Sequence, residues 1–399
     1  MRETVAHQPV SVWSAAAAVP PTNRAASVSE RVARSHRGFV ALRGTRSLTL
    51  AALFPLFLLA LLAVASAPSA AQRRGADKLQ LFPFAPAGKA PAAITEPTFV
   101  DAKKADVCLS ADEPVLGLVH NGEARAYSVW QLERRLVVND RFGSRAVAIT
   151  WCPFSHAAVV YVRTAGDRRL TLESDGRLLR DQLVLRDRET GTIWSQAEGI
   201  PIEGPLAGSG TRLSELPVLQ TTWKTWKKEQ PGTLVLEKAG ADSAIRSSMY
   251  EDYDADPQRL GLGHTELREP RMSGKALVVG LVSGGDRLAV PFEKVKNDLV
   301  VDVAADQQAL AVVYDPATST VRVVRREARG QTLSLRRGAG DLFGRPTPPY
   351  MIDEQTVSRW DLTGLATGGR MEGHRLPLVP YRLQYWYAWQ ACFPRSRVE

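Results

Sequence analysis

The residues best placed to do chemistry are Cys152 and His156, in the string Trp-Cys-Pro-Phe-Ser-His. A thiol four residues before an imidazole has two uses. The imidazole can favour the thiolate, which makes a nucleophile. Thiolate and imidazole together also suit copper or zinc, as half of a soft-metal site. Both follow the apolar run ending at Cys152, which reads as a buried strand broken by Pro153, so both are expected on a loop at the strand's end. The bland alternative is a small core sulfur and an unrelated ring. Four further residues are candidates for binding. Arg135 could orient an anion near Cys152, although a single arginine on a helix is ordinarily a surface residue. Asp140 precedes a glycine-containing turn, where capping competes with a ligand role. Asp187 and Trp194 read as a turn-capping carboxylate and a core aromatic, or as part of a ligand-stacking platform.

A scaffold must place these residues, and the sequence carries that scaffold twice. Gly117-Leu118-Val119 returns as Gly280-Leu281-Val282. Trp151-Cys152-Pro153 corresponds to Tyr314-Asp315-Pro316. Trp223, Trp226 and Pro231 return as Trp386, Trp389 and Pro394. Every one of these pairs is 163 residues apart. Asp187, Thr190 and Trp194 return as Asp353, Thr356 and Trp360, at a spacing of 166. One spacing shared by unlike motifs marks an internal repeat. The division that follows is a first β-rich repeat over 113–238, a connecting arm over 239–274 and a second β-rich repeat over 275–399. The second copy has Asp315 and Ser319 in place of Cys152 and His156, so the fold needs neither. Asp187 and Trp194 recur in both copies, which favours a structural role, and Asp302 is matched to Asp140.

Within each copy the pattern is mainly β, in an α+β class with a few short helices. Val115–His120 and Glu123–Ser128 flank Asn121-Gly122, the preferred pair for a two-residue hairpin turn. A second hairpin is expected around 165–167, and a strand-turn-strand unit around Thr190-Gly191. Helices are expected after Ser128 and over 216–230, where Trp223 and Trp226 would face the core. The expected architecture is two barrel-like or sandwich-like units packed face to face. The arm at 239–274 carries turn residues and few large apolar ones, so it reads as a connector.

The 399 residues carry a formal net charge of +9, which invites a nucleic-acid partner. Its distribution argues against one. The segment before Gln72 holds seven arginines against two acidic residues, so more than half of the excess lies in a basic leader, 1–47. That leader precedes an apolar segment, 48–71, with no charge between Arg46 and Arg73. Its core is long enough for a bilayer interior of about 30 Å, and Ala65-Ser66-Ala67 resembles a signal-peptidase site. The expectation is a signal peptide or a single membrane anchor. The folded part is then exported, to the periplasm or the outside, and meets the membrane through this segment where it is uncleaved. A Pro- and Ala-rich lead-in, 72–112, is expected to run over the surface. Three cysteines exclude a disulfide scaffold and a four-thiolate zinc site. Cys108 and Cys392, near the two ends of the globular part, have either a disulfide or two free thiols as readings.

The strings EPVLGLVHNGEARAY, VVNDRFGSRAVAITWCP, DQLVLRDRETGTIWSQ and LPVLQTTWKTW, in that order, resemble the bacterial family DUF3179. The resemblance runs from about Thr95 to the C-terminus. It implies an exported or membrane-anchored protein and names no activity. Members commonly have a second cysteine where this chain has Ser155 and a histidine where it has Arg135. A dithiol–disulfide cycle inside this motif is therefore not available. No phosphate-binding glycine loop, nucleophile elbow, zincin motif or calcium loop occurs. The resulting expectation is a non-catalytic binding or structural module of the cell envelope, with an unknown small ligand or envelope partner. The alternative is a thiol- or metal-dependent site at Cys152 and His156, holding copper or zinc.

Overall fold

The computed structural model of the protein describes residues 79–262, 267, 270–338 and 348–399. The leader and the apolar segment lie outside the described residues. Among the described residues no helix is long and apolar enough to cross a membrane.

The first copy begins with the hairpin Pro114–His120 and Glu123–Ser128, in register from Val115↔Ser128 to His120↔Glu123. Asn121 and Gly122 take φ of 51° and 82°, the left-handed pair whose twist matches that of the strands they join. Ser128 ends the hairpin and caps the helix Val129–Arg135, its hydroxyl accepting the Gln131 N–H. The chain then turns through Leu136, at φ 60°, into Val137–Phe142. That strand pairs with Arg145–Cys152, which pairs with Ala157–Val162. A third sheet is built on Leu172–Leu179, Gln182–Asp187 and Ile193–Ser195. Leu219–Thr222 returns to the first hairpin as an edge strand. Thr222 caps the helix Trp223–Glu229, and Leu234–Leu236 runs parallel to Glu123–Ser128. Among the described residues the sheets are open and none closes into a barrel; the fold is mainly β, in the α+β class.

The second copy repeats these details at the same spacing. Arg163 donates from Nε to the Val147 carbonyl and from Nη1 to that of Leu170. Arg326 does the same to Leu310 and Leu333. The Trp226 indole donates to Thr233, and the Trp389 indole to Ser396. Leu234 pairs in parallel with Arg125, and Arg397 with Leu288. Gly117 and Gly280 each lie under a tryptophan ring: a Cβ there would sit 2.2 Å from Trp226 or Trp389. Only glycine permits that approach.

The copies meet reciprocally. Leu219–Thr222 of the first packs on Thr320–Arg325 of the second, and Arg382–Tyr385 of the second packs on Ala157–Val162 of the first. Side chains bond across the same contact: the Thr221 and Thr320 hydroxyls lie 2.8 Å apart, Arg322 bonds Glu229, and Arg382 bonds Glu215. This is the contact pattern of a two-fold dimer, made within one chain.

Four local expectations change. The segment over 216–230 is not all helix, because Leu219–Thr222 takes the free edge of the first hairpin. The hairpin at 165–167 is only a two-residue ladder, Thr164–Ala165 with Arg168–Arg169, because Leu172–Leu179 pairs with Gln182–Asp187 instead. The lead-in, largely exposed or half-buried, also supplies edge strands: Leu81–Pro83 extends the third sheet and Phe99–Asp101 the first. The arm enters the core through Tyr253, which is 3% exposed.

Candidate functional site

Alternation along the strand Arg145–Cys152 sends Cys152 and its neighbour Trp151 to opposite faces. Cys152 faces a core cluster with Tyr161, Leu185 and Trp194, while Trp151 faces the opposite cluster with Leu116 and Ile149. His156 goes with Trp151. Its ring stands edge-on to that indole at 5.0 Å and lies 5.4 Å from the Tyr385 ring. The backbone at His156 has φ 58° and at its counterpart Ser319 φ 51°, so this turn is a property of the fold. Cys152 is fully buried and its Sγ donates to the Asp181 carbonyl at 3.5 Å. Burial pushes its thiol up and pushes the His156 imidazole down to about 4. At neutral pH both groups are therefore uncharged, the reverse of a thiolate–imidazolium pair. Among the described residues no group of three or more His, Cys, Asp or Glu is arranged to hold a metal ion.

What surrounds them is a polar seam that the sequence reading missed. The Phe154 carbonyl accepts from the hydroxyls of Tyr253 at 2.7 Å and Tyr387 at 2.6 Å. Those hydroxyls are 2.9 Å apart. The Tyr385 hydroxyl donates to Asp254 at 2.8 Å. Lys275 Nζ stands 3.6 Å from the Tyr253 ring centroid, a cation–π contact. Burial raises the Asp254 carboxyl to about 6 and lowers the Lys275 amine to about 8. The seam joins the Cys152 loop, the arm and both ends of the second copy. Its signal was the arm's Tyr250-Glu251-Asp252-Tyr253-Asp254, aromatic at helical spacing beside an acid.

The four binding candidates do not converge. Arg135 makes a two-pronged pair with Asp242, at 2.9 Å and 2.8 Å, and so ties its helix to the arm. Asp140 is not a turn cap. It lies inside a strand, 4% exposed, held by Arg125 at 2.6 Å and the Tyr127 hydroxyl at 2.5 Å. Nor is it the counterpart of Asp302. Asn139 exchanges two hydrogen bonds with the Leu172 backbone, and Asp302 accepts from Leu335 N–H, so Asn139 and Asp302 are equivalent. Asp187 accepts from Thr190 and from the Trp194 indole at 2.8 Å, and Asp353 repeats this with Thr356 and Trp360. Trp194 is fully buried and offers no stacking face. Cys108 and Cys392 are free thiols; Cys108 packs beside Trp223, and Cys392 beside Trp389.

Reciprocal packing leaves two related clefts between the copies, of about 670 Å³ and about 320 Å³. Val119, Pro217, Arg375 and Leu378 line the larger, and their counterparts Val282, Pro380, Arg212 and Glu215 line the smaller. The larger alone has Arg322 in its wall, where the equivalent residue of the first copy is Val159. The Arg322 side chain is 3% exposed and bonds Glu229 through Nη2. Its Nη1 is buried without a hydrogen-bond partner.

The family described as a protein of unknown function, DUF3179, matches residues 90–396. The chain belongs to that family. No curated protein and no solved structure matches it.

Proposed function

We propose that the protein is an exported or membrane-anchored module of the cell envelope that binds a ligand between its two copies and catalyses no reaction. The observation that carries this is the contrast between two sites. The chemically sharpest pair, Cys152 and His156, is parted by packing: the sulfur is fully buried in one core cluster, and the imidazole stands against Trp151, which belongs to the other. The larger cleft is lined from both copies and has polar and apolar walls, the character of a small-molecule site. Export rests on the basic leader and the apolar segment that follows it.

The test uses the purified full-length chain beside Cys152→Ser. Bound metal is measured by elemental analysis and thiol reactivity from pH 5 to 9. The expected result is no stoichiometric metal and a Cys152 thiol that reacts only on unfolding. Copper or zinc lost in the variant, or a native thiol reacting well below the free-cysteine pKa of about 8.5, would instead establish the thiol or metal site at Cys152 and His156.

A further inference from the structure

Arg322 is a charged side chain in a place where the fold does not require one. Its counterpart, Val159, is a buried apolar residue at the same level of the reciprocal interface. Burying a guanidinium is costly unless its donors are used, and here Nη1 has no partner. Glu229 does not complete the site, since it meets only Nη2. The matching carboxylate of the smaller cleft, Glu215, stands where the larger has Leu378, and Glu215 is taken up by Arg382 at 2.7 Å. The two clefts have thus diverged. Buried donors without partners occur at both, on Arg325 and Arg382 at the smaller and on Arg322 at the larger, but the smaller presents a carboxylate, Glu215, whereas the larger has an apolar Leu378 at that place beside the Arg322 guanidinium.

The rest of the larger cleft states what kind of ligand would use that donor. Arg375 is a second, exposed guanidinium in its lining, bonded through Nη1 to Thr363. Two guanidinium groups face one carboxylate, Glu229, which leaves the lining with a single positive charge. That balance suits a monoanion better than a doubly charged phosphate. Val119 and Leu378, 45% and 42% exposed, stand in the same lining with Pro217 and Leu376. Large apolar side chains left in water at one cleft mark a contact surface for an apolar body.

We infer that this cleft binds an organic monocarboxylate with an apolar body. The carboxylate meets Arg322 Nη1 and Arg375, and the body lies along Val119 and Leu378. Guanidinium and carboxylate form charge-assisted hydrogen bonds stronger than neutral ones. The inference rests on the binding-module reading and specifies its ligand.

The experiment is calorimetric titration of the full-length chain with 4-phenylbutyrate, with 4-phenylbutan-1-ol as neutral analogue and with inorganic phosphate. One site for 4-phenylbutyrate is expected, with the alcohol and phosphate each bound at least about tenfold more weakly. Arg322→Val, which installs the residue of the other copy, should weaken 4-phenylbutyrate about tenfold or more. Arg375→Gln and Leu378→Asp alter exposed side chains and should each weaken it several-fold. No binding by the wild type, equal binding of the alcohol, or unchanged binding in a folded Arg322→Val overturns the inference. Where Arg322→Val does not fold, unchanged binding in the other two variants overturns it. An inert Cys152 with no bound carboxylate removes only the ligand assignment. A reactive Cys152 or a stoichiometric metal removes the binding-module reading, whatever the cleft holds.

Discussion

The state of His156 decides between the two chemical readings, and pH-dependent stability reads that state directly. The perturbation is His156→Asn, because asparagine tolerates the left-handed backbone at φ 58° and does not titrate. Burial holds the folded imidazole at about 4, against its ordinary value of 6.5. Below pH 6.5 the unfolded chain takes up a proton that the folded chain refuses, so the folded state loses stability as pH falls. Between pH 7 and pH 4.5 that loss comes to about 2 kcal/mol. Glu133, raised to about 7, and Asp254, raised to about 6, act in the opposite direction: their stability contribution is lost as pH rises. Both remain in the variant, so they cancel from the difference. Urea unfolding of wild type and variant at pH 7 and pH 4.5 should therefore show the wild type's advantage shrinking by about 2 kcal/mol on acidification. An imidazolium paired with the Cys152 thiolate would have a raised pKa, and the advantage would grow. Growth, or parallel behaviour of the two proteins, would refute the packed neutral ring.

Two further outcomes follow from the repeat. Asp187→Ala and Asp353→Ala should each cost about 2–3 kcal/mol in urea unfolding at pH 7, because each orphans a buried tryptophan N–H and a turn; a small effect at Asp187 alone would return it to the list of ligand-binding residues. Gly117→Ala and Gly280→Ala should lower stability similarly, by about 1–3 kcal/mol or more, since each Cβ would meet a tryptophan ring at 2.2 Å. A thermal midpoint unchanged in either variant would show that the equivalent packing is not tight.

The chain by itself carried the repeat, the Asn121-Gly122 hairpin, the capped helix after Ser128 and the paired Asp–Trp turns. These are local or periodic features: a turn pair, a cap and a strand alternation act over a few residues, and a duplicated unit repeats them at one spacing. The family match over residues 90–396 rests on the same strings. What the chain could not state is which edge a strand takes and which face a side chain meets. Leu219–Thr222 became a strand because the first hairpin had an open edge. Cys152 and His156 were separated because strand alternation sent Cys152 to one cluster, while the turn laid His156 on Trp151. Arg322 carried no sequence signal at all. Its partner Glu229 lies 93 residues away, and the cleft forms only where the two copies exchange contacts. Local propensity and spacing determined the units of this protein. The contact between them, set by chain segments distant in sequence, decided which charges are desolvated and where the clefts form.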